Sequence, residues 1–134
     1  MDIMGISGLG YYAIQYAKIL GQKSTVIALD RRDEKLQLAR TVGADFTVNT
    51  SKYQKQQLRE EVLMATNRKG VDVVIDCVGA ENTIYNSVRL LNKGGVLVLV
   101  GLFGNQIPMP LVPLVINEYS VYGSLWVTIM NCVR

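Results

Sequence analysis

Short apolar runs alternate along the chain with stretches whose apolar residues recur at helical spacing. Residues 2–4, 25–29, 46–48, 71–77, 96–100 and 119–125 read as strands, and helix-period stretches fall between the first five. In 11–20 the residues Ala13, Ala17 and Leu20 share one face. In 33–42 Leu36 and Ala39 line up, with Asp33 and Glu34 in the first turn and Gly43 as a stop. Leu58, Val62 and Ala65 repeat before Gly70, and Ile84, Val88 and Leu91 repeat before Gly94 and Gly95. This alternation predicts an α/β fold: a doubly wound, parallel six-stranded sheet of the Rossmann kind, in three layers with right-handed crossovers. Residues 71–75 and 96–100 are nearly continuous Val, Ile and Leu, as strands buried on both faces require.

One stretch breaks the rhythm. Residues 106–117 carry all three prolines, Pro108, Pro110 and Pro113, so the link between the last two strands is not expected to be a regular covering helix. With 134 residues and no linker or repeat, the chain reads as one domain, 1–134. Its first strand leads almost at once into glycine, and both ends look abrupt.

Composition removes several kinds of chemistry. There is no histidine, which excludes a histidine triad, an H-E-x-x-H zinc site and a histidine proton relay. The two cysteines, Cys77 and Cys132, form no metal-binding or redox pair, and the expectation is a reducing, cytoplasmic setting with no metal in this chain. No apolar run is long enough for a membrane span. Ten of fourteen Lys and Arg lie between Lys23 and Lys69, but six Asp and Glu are interspersed there, so a solvated face is expected rather than a nucleic-acid surface.

The candidate chemistry lies in Gly5-Ile-Ser7-Gly8-Leu9-Gly10, between the first strand and the first helix. Such a turn aims backbone N–H groups and the positive end of a helix at one point, where a pyrophosphate can sit. Gly5 permits the tight turn, and Gly10 lets helix and strand pack closely. The dinucleotide fingerprint G-x-G-x-x-G has its second glycine where this chain has Ser7, so the approach must tolerate a small Cβ or pass to Gly8. Twenty residues after Gly10, Asp30 closes the second strand, where a dinucleotide fold keeps the acid that accepts the ribose hydroxyls. The same carboxylate could instead serve a helix start or a turn. A carboxylate there repels a 2′-phosphate and favours NAD; Arg31 and Arg32 keep NADP open, because a guanidinium can pair with that phosphate or stack on adenine.

These motifs do not stand alone. The glycine turn, Val26-Ile-Ala-Leu-Asp30-Arg-Arg-Asp-Glu-Lys35, Gly43-Ala-Asp45, Val73-Val-Ile-Asp76-Cys-Val-Gly79, Gly94-Gly95, Val100-Gly101 and Tyr122-Gly-Ser124 follow in order. The set resembles the cofactor-binding domain of the medium-chain dehydrogenase/reductase family, the zinc-dependent alcohol dehydrogenases and their zinc-free relatives, and covers essentially the whole chain. The resemblance implies that Cys77, Val78 and Gly79 border the adenosine side of the cofactor. It implies that Gly101 and Leu102 lie along the nicotinamide, with backbone near Val121 and Tyr122 at the carboxamide. For Cys77 and Val78 a place in the core, for Gly79 a turn, and for Asp76 a structural strand-end acid are the alternatives. In that family a separate catalytic domain supplies the zinc ligands, substrate pocket and proton relay, and those features have no counterpart in this sequence. The usual glycine after the sixth strand is replaced within Trp126-Val127-Thr128.

Three other readings compete. A short-chain dehydrogenase needs Tyr-x-x-x-Lys, and none of the seven tyrosines has a lysine four residues on. A methyltransferase using S-adenosylmethionine shares the turn and the acid, but usually has an acid two residues before its first glycine, where this chain has Ile3. The third reading is a truncated, non-catalytic chain that binds nucleotide or only self-associates. Self-association is expected as a homodimer through 106–111, an apolar, proline-broken segment beside an edge strand, where the family resemblance also implies pairing across a two-fold axis.

Overall fold

The computed structural model describes residues 2–5, 8–21, 23–107 and 109–125, and at 2–4 and 8 the backbone alone. Its elements run β1 (Asp2–Met4), α1 (Gly8–Leu20), β2 (Ile27–Asp30), α2 (Asp33–Thr41), β3 (Phe46–Asn49), α3 (Lys55–Ala65), β4 (Val71–Asp76), α4 (Glu81–Leu90), β5 (Leu91–Leu99), α5 (Leu111–Ile116) and β6 (Ser120–Gly123). A 3-10 turn, Thr50–Lys52, links β3 to α3. The strands lie in the order β3-β2-β1-β4-β5-β6, each parallel to its neighbours.

Strand β2 explains why helices cover both faces. Successive side chains of a strand point to opposite sides. Ile27 and Leu29 pack with Leu58 and Val62 of α3 and Ile84 and Val88 of α4. Ala28 joins Val26 in a second cluster with Ile14 and Ala17 of α1 and Leu36 and Ala39 of α2. All four residues from Val26 to Leu29 are fully buried, and each large apolar side chain withdrawn from water this way contributes about 1.5–3 kcal/mol.

Three details depart from the sequence expectation. In α1 the buried stripe is Gly10, Ile14 and Ala17, while Leu20, six residues after Ile14 and so turned about 120° from it, is 65% exposed. Strand β5 starts at Leu91, directly after α4, and includes an irregularity: Val71 pairs Leu91 but Val73 already pairs Val96. That bulge takes up Gly94 and Gly95, and the Gly94 N–H bonds the Asn117 carbonyl at 2.7 Å. The proline-rich link does contain a helix, α5. Pro110 precedes it and Pro113 occupies its third position, where a backbone N–H has no intrahelical acceptor to lose. Pro108 and 126–134, with Cys132 and the Trp126-Val127-Thr128 departure, lie outside the described residues.

The register aligns the carboxyl ends of the middle strands. Met4 pairs Leu29 on one side and Asp76 on the other, and Asp76 pairs Leu99. From β1 the chain proceeds outward to β2 and β3, then returns to build β4, β5 and β6 on the opposite side. The order reverses between β1 and β4, and a crevice opens at such a reversal.

Candidate functional site

Those of the residues singled out from the sequence that the structure describes lie at or after the carboxyl ends of β1, β2, β4 and β5, around that reversal. Gly5 follows β1 and is buried with φ +86°; its N–H donates to the Leu29 carbonyl at 2.8 Å, which holds the turn against the end of β2 next to Asp30. A Cβ built on Gly5 would lie 2.4 Å from Val78 Cγ2, so only glycine lets this turn pass the loop after β4. Gly8 opens α1, with Leu9 half-buried and Gly10 buried on it. Ser7 lies outside the described residues.

Asp30 ends β2 half-buried. Its Oδ1 accepts the Arg32 N–H at 3.0 Å, closing the turn into α2, so the turn role weighed from sequence is filled by one oxygen of the candidate ribose ligand. Arg31 is exposed, and the exposed Arg32 guanidinium approaches Glu34 at 3.8 Å. A brace not foreseen from sequence stands behind this turn. Buried Asn49, at the end of β3, donates from Nδ2 to Asp33 Oδ1 at 2.8 Å and accepts the Ser51 N–H at 2.9 Å. The Ser51 hydroxyl reaches the Arg31 carbonyl at 3.4 Å. Asn and Ser after a strand read as ordinary turn chemistry, so nothing in the sequence marked them. The Asn49 amide, then the Lys52 ammonium, hold the exposed Asp33 carboxyl below its ordinary 3.8.

Across β1, the loops after β4 and β5 are joined backbone to backbone. Phe103 N–H donates to the Val78 carbonyl at 3.1 Å and Gly104 N–H to the Gly79 carbonyl at 2.9 Å. Gly79 has φ +71°, and a Cβ on it would lie 2.0 Å from the Gly101 oxygen. Gly79 and Gly101 are thus needed for this contact itself. Cys77 and Val78 are half-buried beside it, whereas Leu102 and Phe103 project at 86% and 83% exposure. A cavity of about 350 Å³ lies elsewhere, at the β3 edge between α2 and α3. A second, of about 330 Å³, adjoins the site between Gly79, Val100, Gly101, Ile107 and Ser124.

This arrangement suits holding a ligand better than reacting with one. Burial, then the Asp76 charge, push the Cys77 thiol up to about 12, so it stays a neutral apolar lining group. A zinc ion does not fit the residues present: the sequence has no histidine, and among the described residues no three Cys, Asp or Glu converge. Among the described residues no helix is long and apolar enough to cross a membrane.

The family model described as zinc-binding dehydrogenase matches residues 8–133. An alcohol dehydrogenase of Geobacillus stearothermophilus is 39% identical over 123 residues, covering 92% of this chain and 34% of the relative. An NAD-dependent alcohol dehydrogenase of Sulfurisphaera tokodaii is 38% identical over 118 residues, covering 88% and 33%. Among solved structures, the alcohol dehydrogenase of Aeropyrum pernix superposes with a TM-score of 0.82 at 34% identity, over 98% of this chain and 39% of that one. A protein of Sinorhizobium meliloti 1021 described as a zinc-binding dehydrogenase, solved bound to NADP, gives 0.83 at 32% identity over 92% and 36%. The chain spans about a third of the length of the curated relatives it matches. With the family model matching 8–133 and these relatives aligning over most of it, the chain belongs to the zinc-binding dehydrogenase family, as its cofactor-binding half.

Proposed function

We propose that this chain, a doubly wound six-stranded Rossmann domain over residues 1–134, holds NAD(H) for an alcohol dehydrogenase-like oxidoreductase. The observation that carries the reading is the convergence of the Gly5 turn, Asp30 and the 77–79 and 101–102 loops on the strand-order reversal between β1 and β4. The strand ends from β2 to β5 span three inter-strand spacings, about 14 Å, a length suited to an extended dinucleotide. The turn into α1, with Gly5, Ser7, Gly8, Leu9 and Gly10, takes the pyrophosphate on backbone N–H groups. Asp30 accepts the adenosine ribose hydroxyls, Arg31 lies beside the adenine, and Cys77 and Val78 border the adenosine. Gly101 and Leu102 run along the nicotinamide, whose chemistry is hydride transfer.

The Asp30 carboxylate favours NAD over NADP by repelling a 2′-phosphate. By itself the chain holds the cofactor without turning over an alcohol or aldehyde, since it carries no histidine and, among the described residues, no metal donor set to polarise a carbonyl. Substrate contacts then come from a catalytic domain outside this sequence. The chain also pairs with its own copy through 106–111. Strand β6 ends the strand order, and Ile107, Leu111, Val112, Val115, Ile116 and Tyr122 near it are each more than half exposed.

A methyltransferase cofactor site is the competing reading, because it shares the turn and the acid. Saturation-transfer NMR on the 134-residue chain with NADH, NADPH and S-adenosylmethionine separates them. Transfer to NADH protons that adding NADPH does not abolish supports the proposal. Transfer to S-adenosylmethionine alone overturns it.

A further inference from the structure

One buried group has a larger reach than the family motifs give it. Asp76, at the carboxyl end of β4, is fully buried, and its side chain holds one loop while its main chain holds the next. Its Oδ1 accepts the N–H groups of Val78 and Gly79 at 2.9 Å each. Its backbone carbonyl accepts those of Val100 at 3.0 Å and Gly101 at 3.1 Å. The two loops are then tied to each other through Val78 with Phe103 and Gly79 with Gly104. Val78 in turn is the residue against which Gly5 passes. Asp76 thus bonds two of the segments proposed to touch the cofactor directly and reaches the third, the Gly5 turn, through Val78.

The other carboxylate oxygen argues that this is more than a turn device. Asp76 Oδ2 is buried with no hydrogen-bond partner among the described residues. A buried carboxylate with an unpaired oxygen is costly, and an asparagine would accept the same two N–H bonds without burying a charge. What the charge adds is strength: bonds to an ionised acceptor are about twice as strong as neutral ones, and they hold the 77–79 backbone in one place.

We propose that Asp76 is a positioning residue for the cofactor, fixing the loops after β4 and β5 in the arrangement that receives it. The proposal rests on the cofactor reading above. Ligand-binding loops open locally more readily than the sheet beneath them, so losing this acceptor should loosen the loops before the fold.

The test compares wild type with Asp76→Asn, which keeps a neutral acceptor at the Oδ1 position, and Asp76→Ala, which removes the acceptor. Amide hydrogen exchange, which needs no cofactor, is read at Val78, Gly79, Phe103 and Gly104, with Phe46 of β3 as the reference. The expected result is exchange at least tenfold faster at those four amides in Asp76→Ala and a smaller increase in Asp76→Asn, with Phe46 unchanged in both. NADH affinity measured by calorimetry on the same samples should fall tenfold or more in Asp76→Ala and by less in Asp76→Asn. Unchanged loop exchange in Asp76→Ala overturns the proposal. So does an exchange increase that Phe46 shares equally, since that is a loss of fold. Loosened loops with undiminished NADH binding overturn the positioning role while leaving the cofactor reading intact. Loosened loops in Asp76→Ala beside a wild type that binds no NADH overturn the cofactor reading, and with it the role assigned to Asp76. Should Asp76→Ala not fold, Asp76→Asn decides: faster loop exchange with weaker NADH binding supports the role, and unchanged loop exchange or undiminished affinity overturns it.

Discussion

The contact between the loops after β4 and β5 can be tested by adding one methyl group. A Cβ on Gly101 would lie 2.1 Å from the Val78 carbonyl carbon and 2.3 Å from its oxygen. Nonbonded carbon atoms settle at about 3.5–4.0 Å, so the loops must part by more than about an ångström. Both sides are backbone, and neither can rotate away. Separation on that scale breaks the bonds from Phe103 to Val78 and from Gly104 to Gly79. Each contributes about 1 kcal/mol, and forced overpacking adds about 1–3 kcal/mol, for a total of about 3–5 kcal/mol. Gly94→Ala is the control, since Gly94 has φ +76° with nothing within 4 Å of a built Cβ. Its cost is backbone strain alone, about 1–2 kcal/mol. Urea unfolding of both variants, read by circular dichroism, compares a glycine needed for space with one needed for its dihedral. If Gly101→Ala costs no more than Gly94→Ala, the loops are not held in this contact.

Asp45 accepts the Val26 N–H at 2.8 Å and pairs with Lys18 at 2.9 Å, so Asp45→Ala should cost about 1–3 kcal/mol in urea unfolding at pH 7. Burial raises the Asp45 carboxyl, but the Val26 N–H and the Lys18 ammonium outweigh it and hold it below 3.8. A folded-state value below the unfolded one means this stability is present above pH 3.8 and lost as pH falls through the folded value. The gap between wild type and Asp45→Ala should therefore close in acid, and a gap unchanged from neutral pH to pH 3 would refute the argument. With its pKa at about 12, Cys77 should be about one part in ten thousand thiolate at pH 8; a Cys132→Ser variant should label with a disulfide reagent only on unfolding, and fast labelling of the folded chain contradicts the burial. Ile107, 52% exposed in the proposed pairing segment, should split the dimer as Ile107→Lys without changing the circular dichroism spectrum; light scattering that finds wild type monomeric at tens of micromolar removes the dimer.

What could be read from sequence was whatever depends on local chain chemistry. The periodicities of Leu36 with Ala39, Leu58 with Val62 and Ile84 with Val88 each mark a buried helix face, because inward positions must repeat with the helix. Helical spacing in α1 misled through Leu20, since Ala13, Ala17 and Leu20 recur at that spacing too while the buried stripe runs through Gly10, Ile14 and Ala17. The helix α5 was hidden by its prolines, which disrupt a helix interior but not its first turn. In the candidate site, the glycine turn and Asp30 were visible because motif spacing reports a strand end followed by a helix start. The paired loops were not visible. The approach of Gly79 to Gly101 joins residues more than twenty positions apart, and a glycine in sequence does not state which backbone it makes room for. Asn49 and Ser51, which brace the Asp30 turn from a neighbouring strand, are legible only once β3 lies beside β2.

Calorimetric titration of NADH into wild type, Asp30→Asn and Asp30→Ala tests the ribose assignment directly. Asparagine keeps an acceptor for the Arg32 N–H, so in that variant the turn into α2 stands and only the charge is lost. Alanine removes the hydrogen bonds to the ribose hydroxyls, which contribute about 1–3 kcal/mol and so about 5- to 150-fold in affinity. The expected order is wild type tightest, Asp30→Asn weaker and Asp30→Ala weakest by at least about fivefold, with circular dichroism spectra alike. Equal NADH affinity in all three proteins would contradict the account.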